Sequence, residues 1–245
     1  MEKLKPKAVI FDLGSTLIDY LTDDWFEVSY AATQCAHQQF PESGNSLPDF
    51  EEFWKQLEEV KQFYRDRAAQ TYQEWTVVEA VEDLFKKLKL DNNGRLAGQF
   101  FDIYYSAMSE KLYIYDDTIE TLGWLKERVE KIGLISNTIF PEEKHVEELN
   151  RFKIAPFLDY KIFSSTFGLR KPHPDIFSRA VELAGFEANE CVYIGDRYVE
   201  DITGPAKIGM PAILKKIKGR EYPEEMPQAT RQISSLMELK NHLDI

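Results

Sequence analysis

The hydrophobic residues of the chain occur in short unbroken runs, separated by stretches in which they recur at helical spacing. The clearest run lies within residues 7–14, where four consecutive apolar residues precede Asp12 and Gly14 ends the segment. Runs of this length are typical of strands that are buried on both faces of a parallel sheet. Similar runs predict four later strands, at residues 132–135, 160–163, 192–194 and 212–214.

Between these runs, apolar residues recur every three or four positions, as in an amphipathic helix. One such pattern is formed by Ile119, Leu122, Leu125 and Val129, just before the second predicted strand. Strands that alternate with helices indicate a parallel sheet with helices on both faces. The sequence therefore predicts an α/β fold with a Rossmann-like parallel sheet. Residues 233–243 are predicted to close the chain as an amphipathic helix.

Residues 20–109 interrupt this alternation with helical patterns that are rich in aromatic residues. Ser46 and Asp49 resemble a capping box before the pattern at residues 50–64. A turn is predicted at residues 91–94, between two further patterns at residues 77–88 and 96–108. We interpret residues 20–109 as an inserted helical cap domain, and residues 1–19 with 110–245 as the α/β core domain.

Composition and charge exclude several classes of function. The net charge of −12 argues against nucleic acid or an anionic membrane as the main partner, since either would need a basic face. No run of about 18 apolar residues predicts a membrane span, and no signal peptide is recognised. Cys35 and Cys191 are too few for a disulfide framework or a metal-binding cluster, so we expect reduced thiols in a cytoplasmic protein.

Polar side chains follow three of the predicted strands. Asp12 stands at the end of the first strand, Ser136 at the end of the second and Asp196 at the end of the fourth. Open parallel sheets bind ligands at the carboxyl ends of their strands, so we expect these three side chains to converge. Burying an aspartate in such a position costs free energy of folding unless its carboxylate is paired or bound to a metal.

Four segments of the chain, taken in order, resemble the motifs of the haloacid dehalogenase-like (HAD) superfamily. They are FDLGSTLID at 11–19, LISNT at 134–138, GLRKPHPDIF at 168–177 and YIGDRYVED at 193–201. The match spans the core as far as residue 210 and is most similar to phosphatases with a helical cap between the first two motifs. The resemblance implies a magnesium-dependent phosphatase that acts on a small phosphorylated metabolite.

The resemblance assigns the nucleophile and the metal ligands. Asp12 is expected to attack phosphorus and form an aspartyl-phosphate, which divides one difficult displacement into two easier ones. Asp12, Asp196 and the main-chain carbonyl of Gly14 are expected to bind Mg²⁺, which prefers hard oxygen ligands.

The remaining motif residues are expected to bind the phosphate or to support the site. Ser136 and Asn137 are expected to bind phosphoryl oxygens. Lys171 is expected to neutralise both the carboxylates and the charge on the transferring group. Asp201 is expected to support the site, either by positioning Lys171 or from the outer shell of the metal.

Gly14 departs from the phosphatase pattern of the family. The usual residue there is a second aspartate, which protonates the leaving group and then activates water. General acid–base catalysis contributes roughly 10²–10⁴-fold, so we expect slow turnover. Asp19 is a candidate substitute acid, and a structural role at the start of the cap is the alternative.

Two other functions remain open at this stage. Gly14 is also compatible with a catalytically weak phosphate-binding or regulatory protein. A metal-independent dehalogenase-like hydrolase would likewise lack the second aspartate. The fourth motif of the superfamily's dehalogenases, however, resembles Ser-x-Asn, whereas this chain has Gly195-Asp196 at that place.

Overall fold

The computed structural model describes residues 2–21, 24–40, 47–90, 94–227 and 230–245. Its strands are β1 (Ala8–Phe11), β2 (Ile18–Tyr20), β3 (Leu112–Ile114), β4 (Lys131–Ser136), β5 (Tyr160–Phe163), β6 (Cys191–Gly195), β7 (Ala212–Lys215) and β8 (Arg231–Ile233). Its helices are α1 (Trp25–Gln39), α2 (Phe50–Thr71), α3 (Val77–Lys87), α4 (Arg95–Ser109), α5 (Thr118–Lys126), α6 (Glu142–Arg151), α7 (Ser164–Phe167), α8 (Pro174–Ala184), α9 (Gly204–Ala206) and α10 (Leu239–His242). No described helix is both long enough and apolar enough to span a membrane.

Six strands form a parallel sheet in the order β5-β4-β1-β6-β7-β8. The helices that connect these strands make this a Rossmann-like α/β core, which confirms the predicted fold class. Strand β1 lies at the centre, and Phe11 is in register with Leu134 of β4 and Ile194 of β6. The carboxyl ends of β4, β1 and β6 therefore lie side by side.

The central strand shows why an unbroken apolar run correctly predicts a strand that is buried on both faces. All four residues of β1, from Ala8 to Phe11, are completely buried. Burying a side chain such as Ile10 or Phe11 contributes roughly 1.5–3 kcal/mol relative to leaving it exposed. Because both faces of the strand are covered, alternation of apolar and polar residues is absent.

The prediction of a closing amphipathic helix at residues 233–243 is wrong. Ile233 belongs to β8 and is in register with Lys215 of β7. A 3₁₀ turn, Leu236–Glu238, and the short helix α10 follow this strand. Asp117 fixes the start of the turn, since its carboxylate accepts hydrogen bonds from Ser235 Oγ at 2.6 Å and Leu236 N at 2.7 Å.

The chain forms two compact units, one of residues 1–19 with 114–245 and one of residues 20–113. The two connecting segments contain β2 and β3, which pair as a two-stranded sheet. Within the smaller unit, Leu21 N donates a hydrogen bond to Lys111 O at 2.9 Å.

The smaller unit consists of α1–α4 around an aromatic core. Its central rings lie 5.3–6.4 Å apart between centroids, and they belong to Phe40, Phe53, Phe85 and Phe100. Asp49 is the N-cap of α2 and accepts a hydrogen bond from Glu52 N at 3.1 Å. The other half of the predicted capping box, Ser46, and residues 91–93 of the predicted turn lie outside the described residues.

Candidate active site

Asp12 lies directly after β1, at the carboxyl end of the sheet. Its backbone N–H donates a hydrogen bond to Ile194 O at 2.8 Å, which continues the pairing with β6. Its side chain is largely buried, with the residue only 7% exposed, and Oδ2 accepts a hydrogen bond from Thr16 Oγ1 at 3.2 Å. The carboxylate is therefore held in one orientation at the centre of the sheet edge.

Lys171 reaches Asp12 from the loop before α8. Its ammonium group donates to Asp12 Oδ1 at 2.7 Å, Asp201 Oδ1 at 2.7 Å and Tyr193 Oη at 2.8 Å. These contacts use all three N–H donors of a lysine. Burial alone lowers the pKa of Lys171, but the carboxylates of Asp12 and Asp201 outweigh burial and raise it. The lysine is thus held as a cation between the two aspartates.

Asn137 positions the main chain of Lys171. Its Nδ2 donates to Lys171 O at 3.0 Å, and its Oδ1 accepts from Lys171 N at 2.7 Å. This pair of contacts fixes the lysine loop against the residue that follows β4. The sequence assigned Asn137 to phosphate binding, and in the structure its amide contacts the Lys171 backbone.

Ser136 is the last residue of β4 and is 4% exposed. The turn that follows it is held by a buried chain of hydrogen bonds. Thr138 Oγ1 lies 2.6 Å from His145 Nε2, and His145 Nδ1 lies 2.6 Å from Glu148 Oε2. Ser164 Oγ also accepts from Thr138 N at 2.8 Å. These contacts fix the backbone beside Ser136.

Asp201 lies in a π-helical turn, Tyr198–Thr203, after β6. Its Oδ2 accepts hydrogen bonds from Asp196 N at 3.0 Å and Arg197 N at 2.8 Å, while its Oδ1 pairs with Lys171. Both oxygens of Asp201 are therefore engaged with the protein. Turns of this kind are rare and often occur at functional sites.

Gly195 permits this approach of Asp201. A Cβ atom at residue 195 would lie 2.4 Å from Asp201 Cγ, which is an impossible contact. We therefore expect Gly195→Ala to displace Asp201 from Lys171 and to reduce stability by roughly 1–3 kcal/mol, as other overpacking changes do. Denaturant unfolding would measure the loss. Gly98→Ala is the matched control, because a Cβ there meets nothing within 4 Å; equal stability of the two variants would contradict this role of Gly195.

Gly14 is exposed and lies two residues after Asp12. The turn around it is fixed by Lys215, whose Nζ donates to Ser15 O at 3.1 Å and Thr16 O at 2.9 Å. Burial lowers the pKa of Lys215 to about 8. Asp19 accepts hydrogen bonds from Ser15 Oγ at 3.3 Å and from the Tyr115 hydroxyl.

The buried acids of this site are a donor set that fits a hard cation. Carboxylate oxygens of Asp12, Asp196 and Asp201 all lie within 4.8 Å of one another. Asp196 is 1% exposed and forms an ion pair with Arg220.

Comparison with known proteins identifies the family of this chain. The sequence model of the haloacid dehalogenase-like hydrolases matches residues 6–209. This chain belongs to that family. A glyceraldehyde 3-phosphate phosphatase of Methanocaldococcus jannaschii is 30% identical to this HAD hydrolase, with 95% of each chain covered. A phosphoglycolate phosphatase of Pseudomonas syringae pv. tomato is 26% identical, over 91% of this chain and 75% of its own length.

Among solved structures, this HAD hydrolase is similar to a 2-haloacid dehalogenase of Pseudomonas syringae pv. tomato. The TM-score is 0.71 at 21% identity, and 97% of each chain is covered. At that level of identity the likeness establishes the fold alone, because one fold hosts many chemistries.

The sequence-predicted residues of this HAD hydrolase converge at one sheet edge, and the structure adds others that no motif marked. The additions include Arg220 and Lys215. Arg220 and Lys215 come from the region around β7, which resembled no motif. Only the three-dimensional fold places them beside the first motif.

Proposed function

We propose that this HAD hydrolase is a magnesium-dependent phosphatase that hydrolyses a small phosphomonoester through an aspartyl-phosphate on Asp12. The observation that carries the proposal is the buried Asp12 carboxylate, held by Lys171 and flanked by Asp196 and Ser136 at the ends of the neighbouring strands. The phosphatase relatives support the same reaction class.

The reaction proceeds in two displacements. An oxygen of Asp12 attacks phosphorus and the ester P–O bond breaks, so that the alcohol leaves and takes a proton from solvent. Water then attacks the phosphorus of the aspartyl-phosphate and loses a proton to solvent. The P–O bond to Asp12 breaks, which releases inorganic phosphate and restores the Asp12 carboxylate. Gly14 has no side chain to transfer either proton, so both steps are slower than with a positioned acid.

The other residues hold the reacting groups. Lys171 balances the negative charge at Asp12, and Ser136 donates a hydrogen bond to a phosphoryl oxygen. Asn137 and Asp201 position Lys171 through the contacts described above. Asp12, Asp196 and the Gly14 carbonyl would hold Mg²⁺, which when bound neutralises the phosphoryl oxygens.

The helical unit, residues 20–113, is proposed to be the cap domain that selects the substrate. The relatives suggest a small phosphorylated metabolite as the substrate. Neither nucleic acid nor a membrane is proposed as a partner, given the net charge of −12. The two free cysteines, Cys35 and Cys191, support a cytoplasmic location.

Phosphate release from a panel of esters tests this function. The panel includes glyceraldehyde 3-phosphate, phosphoglycolate and a generic aryl phosphate, each assayed with Mg²⁺ and with a chelator. We expect slow release that requires Mg²⁺. Release that continues unchanged in the chelator would contradict the metal requirement, and halide release from a 2-haloacid would favour a dehalogenase.

A second function, a phosphate-binding protein with negligible turnover, is favoured by Gly14 alone. Calorimetry with inorganic phosphate and Mg²⁺, together with the ester panel, distinguishes this function from that of a phosphatase. Binding of both, with no ester of the panel hydrolysed, would replace the phosphatase proposal by this one.

A further inference from the structure

Asp196 is a buried carboxylate that Lys171 does not neutralise. The three donors of Lys171 are taken by Asp12, Asp201 and Tyr193. Asp196, 1% exposed, therefore needs a different cation, because an uncompensated buried charge is strongly destabilising.

Arg220 supplies that cation from the segment between β7 and β8. Its Nη1 forms the ion pair with Asp196 Oδ2, and its Nη2 donates to Ser15 Oγ at 3.2 Å. The guanidinium group is thus placed between the fourth motif and the residue next to Gly14. Its side chain is 27% exposed, so it can leave this position towards solvent.

The backbone that carries Arg220 is shaped for this placement. Arg220 N donates to Ile217 O at 3.3 Å, and Gly219 between them has φ of 87°, a conformation that favours glycine. Ile217 N donates a hydrogen bond to the Tyr222 hydroxyl at 2.9 Å. These contacts anchor the turn on both sides of Arg220.

A carboxylate oxygen in contact with a guanidinium group is not available to Mg²⁺, whose ligands must approach to about 2.0–2.1 Å. We propose that Arg220 is an internal competitor of the metal, which occupies Asp196 in the metal-free protein and must be displaced when Mg²⁺ binds. This inference rests on the magnesium site of the proposed function.

The balance of charges at the site explains why Arg220 weakens metal binding. Asp12, Asp196 and Asp201 carry three negative charges, against which Lys171 and Arg220 supply two positive ones. Mg²⁺ together with Lys171 already balances the three carboxylates. With the metal in place, Arg220 is a surplus cation at Asp196, so its presence weakens metal binding.

Calorimetric titration of chelator-treated protein with Mg²⁺ tests the proposal without an activity assay. We expect Arg220→Gln to bind Mg²⁺ on the order of tenfold more tightly than the unmodified protein. Arg220→Lys keeps the positive charge and is expected to show a smaller gain. Arg179→Gln is the matched control, since Arg179 pairs with Glu182 on an exposed helix face and should leave Mg²⁺ binding unchanged.

Thermal unfolding gives a second measurement on the same proteins. In the presence of a chelator, Arg220→Gln is expected to have a lower melting temperature than the unmodified protein, because Asp196 loses its partner. Mg²⁺ is expected to raise its melting temperature by more than it raises that of the unmodified protein. Asp196→Asn in the Arg220→Gln background should abolish this extra stabilisation.

Equal Mg²⁺ affinity in the unmodified protein and Arg220→Gln would overturn the competition while leaving the metal site intact. Weaker binding by Arg220→Gln would also overturn it and make Arg220 a support of the site. Absence of Mg²⁺ binding in both proteins would overturn the metal site of the proposed function itself.

Discussion

Replacing Asp12 with asparagine is expected to reduce phosphate release to the background of the assay. The amide keeps the shape of the carboxylate but lacks the charged oxygen that attacks phosphorus. Lys171 retains Asp201 and Tyr193 as partners, so the variant should fold. Phosphate release from the best ester of the panel, with Mg²⁺ present, measures the effect.

Measurements of folding and of ligand binding serve as controls for this variant. Circular dichroism and thermal unfolding should match the unmodified protein closely, and inorganic phosphate should still bind. Retention of full activity by a homogeneous preparation of Asp12→Asn would remove Asp12 from the chemistry.

Replacing Gly14 with aspartate is expected to raise turnover, by up to roughly 10²–10⁴-fold if the new acid is well placed. The structure has room for the change, because a Cβ at residue 14 meets nothing within 4 Å. The backbone there is also not in the left-handed conformation that would strain a side chain. The rate constant kcat, compared under saturating ester and Mg²⁺, is the quantity to measure.

Gly14→Asn is the matched control, since it has the same size and no acidic proton. A gain in kcat that is confined to Gly14→Asp would establish that the missing acid limits the rate. If the aspartate and asparagine variants were equally active, the gain would not come from proton transfer.

Asp19 offers the alternative explanation for any substantial rate in the unmodified protein. Its carboxylate accepts hydrogen bonds from Ser15, the residue next to Gly14, and from Tyr115. These contacts engage the carboxylate with the protein, so we expect Asp19→Asn to lower kcat less than about threefold, well below the range of general acid–base catalysis. A loss of orders of magnitude would make Asp19 the substitute acid and Gly14 no handicap.

The sequence predicted the sheet well for a physical reason. Strands that are covered on both faces must be apolar throughout, so β1, β4 and β6 appear as unbroken apolar runs. The polar residue that follows each run then marks the carboxyl end of the sheet. The same reasoning predicts that Asp12, Ser136 and Asp196 converge, and the parallel register of the three strands places them at one edge.

The errors arose where local pattern and tertiary contact disagree. Ile233 fits a helical pattern but lies in β8, which pairs with the edge of β7 that β6 does not occupy. Arg220 lies outside every motif, and only the order of strands in the sheet brings it to Asp196.

The most direct test of the account is to trap the covalent intermediate on Asp12. The protein would be mixed with a labelled ester and Mg²⁺, quenched in acid within the first turnover, digested and analysed by mass spectrometry. We expect one phosphoryl group on the peptide that contains Asp12, and none in Asp12→Asn. Phosphate release accompanied by a label on another residue would contradict the account.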